Sequence, residues 1–244
     1  GNAYAPFPEE MNRRLTDQLS SLHFAPTARA RENLLSEGIP PESIVVTGNT
    51  AIDAIQWVIR RYGLAIGAPS DAEETTILVT AHRRESFGPP LRDICQAIRL
   101  VAQLNVTVVF PVHPNPQVRH TVLDELAGHD NIHLTDPLDY LSFVRLMLRS
   151  RLILTDSGGI QEEATALGRP VLVLRNETDR PEAVEAGQAK LVGTDPERIL
   201  AVTQILLQDQ VEYERMSHRS EVYGDGRAAK RIWRTVDGYI AHAE

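Results

Sequence analysis

Residues 151–174 read R-L-I-L-T-D-S-G-G-I-Q-E-E-A-T-A-L-G-R-P-V-L-V-L, and the organisation of the chain is read outward from them. Residues 152–154 form a short apolar run that suits a buried strand. Asp156-Ser157-Gly158-Gly159 reads as a turn. Ile160, Ala164 and Leu167 then recur at helical spacing, and Gly168 closes the helix. Pro170 precedes a second apolar strand over 171–174. The unit is strand, glycine turn, helix, strand. Two glycines at a helix N-terminus let backbone N–H groups approach a phosphate, and the helix dipole favours the anion. Ser157 adds a hydroxyl donor. The alternative is a tight turn that needs two glycines and binds nothing. The stretch matches neither the P-loop nor the dinucleotide fingerprint.

The 244 residues suffice for one large domain or two small ones. With 42% hydrophobic and 24% charged residues, the composition is that of a globular protein. A formal charge of -8 argues against a nucleic-acid or anionic-membrane partner, so an anionic ligand needs local donors. Cys95 is the only cysteine, which excludes an internal disulfide and a cysteine-based metal site; its apolar helical context marks it as core. No signal peptide or spanning run is legible, so a cytoplasmic location is expected. The opening residues, G-N-A-Y-A-P-F-P, read as a loop entered in mid-chain, and the expectation is a fragment.

Taken in order, Pro8 starts a helix to about residue 20, with Met11, Leu15 and Leu19 on one face. A strand over 22–25 is stopped by Pro26. Thr27 caps a helix reaching Glu37, which Gly38 closes. A strand over 43–47 and a Gly48-Asn49 turn precede a helix with Ile52, Ile55 and Ile59 facing the core. Two strands make a poor sheet alone. These first residues read as the tail of a domain. Residues 64–74, rich in small and polar side chains, read as a linker.

The alternation then becomes regular. Apolar strands are predicted at 77–80, 106–112, 132–134, 152–154, 171–174 and 191–192. Helical patterns lie at 91–104, 117–126, 138–148, 160–167 and 181–186, and two helices follow at 196–207 and 227–242. Repeated βα units with fully apolar strands specify an α/β fold, a doubly wound parallel sheet covered on both faces. Ligands of such sheets bind at the carboxyl ends of the strands. The loops there hold Ala81-His82-Arg83-Arg84-Glu85-Ser86, His113-Pro114-Asn115, Thr155-Asp156-Ser157-Gly158-Gly159 and Arg175-Asn176-Glu177-Thr178-Asp179-Arg180. Four such loops on one rim point to a cleft for an anionic ligand.

Together these loops resemble the non-hydrolysing UDP-N-acetylglucosamine 2-epimerase family. The matching stretches are P-F-P-E-E-M-N-R at 6–13, G-N-T-A-I-D-A at 48–54, V-T-A-H-R-R-E-S-F-G at 79–88, P-V-H-P-N-P at 111–116, T-D-S-G-G-I-Q-E-E-A at 155–164, T-D-R-P-E-A at 178–183, G-T-D at 193–195 and Y-G-D-G at 223–226. Ala81 stands where the family has Gly, and Asp179 where it has Glu. The resemblance implies two Rossmann-like domains facing a cleft, as in B-type glycosyltransferases. The family's opening glycine-threonine-arginine-proline-glutamate motif and two of its catalytic carboxylates have no counterpart in these residues. The implied division is a catalytic-domain remnant over 1–63, the linker over 64–74 and a UDP-binding domain over 75–244.

The implied reaction interconverts UDP-N-acetylglucosamine and UDP-N-acetylmannosamine, feeding cell-surface polysaccharide synthesis. UDP is lost to give a 2-acetamidoglucal and is then re-added. The leaving pyrophosphate needs donors, and the C2 proton needs acid/base groups on both faces. By resemblance Glu9 and His82 are the catalytic candidates. Their bland alternatives are a first-turn helix acid and a hydrogen-bonded rim histidine. Ser157, Gly158, Gly159, Arg84 and Arg180 are assigned to UDP, Phe143 to the uracil face and Glu163 to the ribose hydroxyls. Helix periodicity alone puts Phe143 in the core, and Glu162 and Glu163 in the first helical turn have the alternative of merely complementing the dipole. Arg84 and His113 match a regulatory UDP-N-acetylglucosamine site. No metal or other cofactor is implied, and the family implies a homodimer. The chain alone is expected to be inactive. The rival readings are a B-type glycosyltransferase using a UDP-sugar and a non-catalytic UDP-sugar-binding fragment.

Overall fold

A computed structural model describes residues 8–67 and 75–241. The chain contacts divide it into two compact units. The first holds the described residues up to Gln56 and those from Glu221 onward; the second runs from Trp57 to Ser220.

The first unit begins with α1 (Glu9–Leu19), β1 (His23–Ala25), α2 (Ala28–Ser36) and β2 (Ile44–Val46). Thr27 caps α2 by accepting from Ala30 N at 3.0 Å. Gly38 turns the chain out of this region at φ 85°, a left-handed conformation that favours glycine. Strands β1 and β2 pair in parallel, His23 opposite Ile44. Ala25, Ile39 and Ile44 form a small core under Leu34 and Leu35 of α2. Helix α1 buries no residue. Its expected apolar face is open, with Leu15 61% and Leu19 89% exposed. The helix is held by charge instead: Arg13 donates to Glu10 and to Glu37, each at 2.7 Å. Helix α3 (Thr50–Tyr62) buries Ile52, Ile55 and Ile59 as its spacing predicts.

The second unit alternates β3 (Thr76–Thr80), α4 (Pro89–Ala102), β4 (Thr107–Pro111), α5 (Pro116–Leu126), β5 (Ile132–Thr135), α6 (Tyr140–Arg149), β6 (Leu152–Thr155), α7 (Gly158–Ala166), β7 (Val171–Val173), α8 (Pro181–Glu185), β8 (Ala189–Leu191), α9 (Pro196–Gln208) and α10 (Gln210–Met216). Every strand pairing is parallel, in the order β5-β4-β3-β6-β7-β8. The first strand of the unit is central, and the chain winds outward on both sides. This doubly wound arrangement places its topological switch between β3 and β6. The central strands read as apolar runs because both faces are covered. All four residues of β6 are buried. Ile94, Cys95 and Ile98 of α4 share one core with Ile77, Leu152 and Leu172. Each such buried aliphatic side chain is worth about 1.5–3 kcal/mol. Burial pushes the Cys95 thiol up to about 12, with Glu125 adding to the effect, so it is inert packing. Helix α10 had no place in the sequence reading.

The last helix, α11 (Ala228–Ala241), belongs to the first unit. The chain contacts therefore do not divide at the anticipated 64–74 boundary, and the C-terminal helix does not stay with the preceding sheet. The reason is local. Asp53 accepts from Ala228 N and Ala229 N at 3.0 and 3.1 Å, capping α11. Gly48 and Gly224 pass so closely that a Cβ on Gly48 would lie 3.1 Å from Gly224 Cα. Arg231 ties Asp225 and the Thr47 carbonyl together at 2.6 and 3.0 Å. Residues 6–7 of the first motif, residues 68–74 of the anticipated linker and His242 of the anticipated helix lie outside the described residues.

Candidate functional site

The ends of β3 and β6 lie side by side, with Thr80 opposite Thr155. Their hydroxyls meet at 2.6 Å. Thr155 Oγ1 also accepts from Ser157 N at 3.0 Å, which fixes the turn into α7. Asp156 lies between, fully buried. Its Oδ2 accepts from His82 N at 2.9 Å, Arg83 N at 2.8 Å and Ser86 Oγ at 3.2 Å. One carboxylate oxygen thus pins the loop after β3 to the loop after β6. The other, Oδ1, accepts no hydrogen bond and lies 3.6 Å from His82 Nδ1.

Helix α7 starts at Gly158, and the Ser157 hydroxyl does not cap it. Neither Gly158 nor Gly159 has a positive φ. The turn would therefore accept other residues, and a conformational need for two glycines does not explain them. Space does. A Cβ on Gly158 would meet Arg83 Nη2 at 3.5 Å and Arg180 Cγ and Cζ at 3.8 Å, while Gly159 opens onto nothing within 4 Å. The helix N-terminus is bare, and two guanidinium groups lie beside it. Such an end attracts anions.

The loop after β7 supplies the remaining charges. Asp179 faces Arg175 at 2.8 Å, Arg180 at 3.2 Å and Arg83 at 3.5 Å. Burial raises the Asp179 carboxyl, but these arginines outweigh it and hold the group below its ordinary value. Arg180 Nε also donates to Glu162, which is buried. Arg175 pairs with Glu85 at 2.6 Å. Thr178 fastens the loop to α7 by donating to Gln161 Oε1 at 3.0 Å.

Of the sequence candidates, Ser157, Gly158, Gly159 and Arg180 come together at the α7 N-terminus, with Arg83 rather than Arg84 completing the group. Arg84 is exposed, in a short 3-10 turn over Arg84–Ser86. His82 joins the group through Asp156. The rings of His82 and His113 stack with centroids 5.2 Å apart and planes 15° from parallel, so a catalytic and a regulatory candidate are neighbours. Burial, with a contribution from His113 and Arg83, lowers the His82 pKa against the opposing pull of Asp156.

Phe143 is half-buried on α6 and lies outside the apolar core, to which Val144 and Met147 belong by burial. Tyr140 sits one turn before it on the same face. Tyr140 Oη donates to Glu163 Oε1 at 2.9 Å, linking α6 to α7. Glu162 and Glu163 do not lie in the first turn of α7, which carries no acid, because the helix already begins at Gly158. The dipole alternative for them loses its basis. Burial raises the Glu163 pKa, Tyr140 lowers it and Glu162 raises it further. Glu9 opens α1 in the first unit and is exposed.

Asp156, Arg83 and Tyr140 escaped the sequence reading. A carboxylate directly after a buried strand was the available sign for Asp156. Among the described residues no cluster of three or more His, Cys, Asp or Glu suits a metal, and no helix is long and apolar enough to cross a membrane.

The family model described as UDP-N-acetylglucosamine 2-epimerase matches residues 1–237. A UDP-N-acetylglucosamine 2-epimerase of Salmonella typhimurium is 50% identical over 251 residues, covering 98% of this chain and 66% of that protein. The crystal structure of the Neisseria meningitidis UDP-GlcNAc 2-epimerase bound to UDP-GlcNAc superposes with a TM-score of 0.91 at 44% identity, covering 96% of this chain and 66% of that one. The S. aureus MnaA-UDP co-structure gives 0.88 at 43% identity, with 98% and 66% covered. The chain spans about two thirds of the length of these relatives. With the doubly wound sheet and the motif-bearing loops at its switch point, these matches establish that the chain belongs to the UDP-N-acetylglucosamine 2-epimerase family.

Proposed function

We propose that the second unit binds the UDP part of a nucleotide sugar, in a protein that interconverts UDP-N-acetylglucosamine and UDP-N-acetylmannosamine. The observation that carries this reading is the α7 N-terminus. Its two glycines are not required by backbone conformation, yet they leave the helix end open beside Arg83 and Arg180. The diphosphate takes the N–H groups of this turn, the Ser157 hydroxyl and the two guanidinium groups. These donors stabilise the charge that develops when UDP leaves C1 of the sugar. Glu163, held by Tyr140, accepts the ribose hydroxyls, and Phe143 on the same helix face covers the uracil.

His82 exchanges a proton on the diphosphate side of the sugar. Burial keeps its imidazole uncharged near neutral pH, the form in which one nitrogen can accept a proton. Glu9 is the partner acid that the resemblance assigns. Arg84 and His113 are the residues of this chain for a second, regulatory nucleotide-sugar site, and the resemblance extends to a pair of copies. The relatives crystallised with UDP-GlcNAc and with UDP support the ligand class.

Isothermal titration calorimetry of the chain with UDP and with uridine tests the site. UDP is expected to bind more tightly, because only it reaches the Ser157–Gly159 turn. Equal affinities would remove the phosphate role given to that turn.

A further inference from the structure

The buried carboxylate of Asp156 is only half accounted for. Three donors converge on Oδ2, and none reaches Oδ1. A buried carboxylate oxygen without a donor carries its full desolvation cost. His82 Nδ1 lies 3.6 Å from Oδ1. That distance exceeds a hydrogen bond, as contacts of catalytic groups often do before substrate binds and tightens them. We propose that Asp156 is the positioning residue of His82: its free Oδ1 holds the proton on Nδ1 and so leaves Nε2 as the nitrogen that exchanges protons in the site.

The geometry favours one tautomer. With the proton on Nδ1, a donor faces Oδ1. With the proton on Nε2, the Nδ1 lone pair would face a carboxylate oxygen, and two acceptors would repel at close range. The neighbouring histidine holds a different arrangement. His113 Nδ1 accepts from Asn115 N at 3.1 Å, which places the proton of neutral His113 on Nε2. The two stacked rings therefore carry opposite tautomers, and only His82 has a buried acid behind it. The groups that face His82 are Asp156, His113 and Arg83. Asp156 alone favours the charged ring; burial, His113 and Arg83 oppose it. The alternative role of Asp156 is purely structural, as a clasp between the loops after β3 and β6. Oδ2 suffices for that, and the orphaned Oδ1 remains unexplained.

The functional consequence rests on the placement of His82 beside the diphosphate proposed above; the tautomer itself does not. The test is long-range 1H–15N correlation NMR on the unliganded chain, with the His82 ring assigned by its loss in His82→Gln. Above its titration, wild-type His82 is expected to show a protonated Nδ1 and an unprotonated Nε2. A protonated Nε2 overturns the proposal without recourse to any variant. Asp156→Asn keeps a carbonyl oxygen for the three loop donors but turns an N–H2 group toward the ring. In that variant the proton is expected to move to Nε2, and the imidazole titration to shift to lower pH by about one unit or more. A folded Asp156→Asn with unchanged tautomer and titration also overturns it. Should this variant not fold, the wild-type spectrum decides. Failure of wild-type UDP binding by calorimetry, with the Nδ1–H tautomer intact, would sink the nucleotide reading and leave the Asp156–His82 pairing standing.

Discussion

Tyr140 Oη donates a 2.9 Å hydrogen bond to Glu163 Oε1, and this contact joins the N-terminal end of α6 to the middle of α7. It holds the carboxylate against α6. An ionised carboxylate has about four lone-pair sites, so acceptor capacity remains for ribose. Glu163→Gln is expected to weaken UDP binding and remove the preference for UDP over 2′-deoxy-UDP, a loss of about 1.5–3 kcal/mol for a charge-assisted bond. Burial raises the Glu163 pKa, so its ionised form costs folding energy at neutral pH and Glu163→Gln should not lower the melting temperature. Glu162→Gln is expected to keep ribose discrimination; burial raises the Glu162 pKa over the pull of Arg180, so this change should not lower the melting temperature either. Calorimetry with both ligands on both variants separates them; unchanged discrimination in Glu163→Gln sinks the ribose assignment.

Gly158→Ala tests whether the glycine is kept for ligand space. The backbone there tolerates alanine, and the new methyl would make ordinary contacts with Arg83 and Arg180. Alanine in a helix is favoured over glycine by about 0.5–1 kcal/mol. The expected outcome is an equal or higher melting temperature with UDP affinity lowered by about 1 kcal/mol or more, the worth of a displaced hydrogen bond. Unchanged UDP affinity would mean that phosphate does not approach this turn closely.

Arg83 and Arg84 are adjacent in sequence but differ in position. Arg83 reaches the α7 N-terminus, while Arg84 is exposed. Arg83→Ala is expected to reduce the ratio of UDP to uridine affinity about tenfold, consistent with about 1.5–3 kcal/mol for a hydrogen bond to a charged group less partial compensation by Arg180. Arg84→Ala should leave that ratio intact. Equal effects of the two variants would return the phosphate role to the pair without distinction.

Asp179 makes a prediction about pH. Burial raises its pKa, but Arg180, Arg175 and Arg83 together hold it below the ordinary aspartate value. A carboxyl with a depressed folded pKa stabilises the fold above its unfolded pKa, about 3.9, and loses that contribution as pH falls through the folded value. Wild type should therefore melt higher than Asp179→Asn at neutral pH, and the gap should close below about pH 4. Thermal unfolding of both proteins from neutral to about pH 3 measures it. A gap that widens on acidification would contradict the sign.

Much of the second unit was legible in the chain itself. Residues 77–80, 152–154 and 171–174 are apolar throughout because strands covered on both faces have no polar side to show. The 3.6-residue periodicity between them gives the helices, and parallel strands joined by helices put every following loop on one rim. That reasoning places His82, Ser157, Gly158, Gly159 and Arg180 on one rim. Periodicity does not say which strands are neighbours. Only the tertiary pairing of β3 with β6 brings Asp156 under His82 and Arg83. Only the 3-10 turn at 84–86 decides that Arg83, not Arg84, lies at Gly158. The half-burial of Phe143, the Tyr140–Glu163 bond and the return of α11 to the first unit were likewise decided in three dimensions. Each depends on side chains distant in sequence meeting across packed elements, and a one-dimensional pattern of polarity records burial without recording the partner.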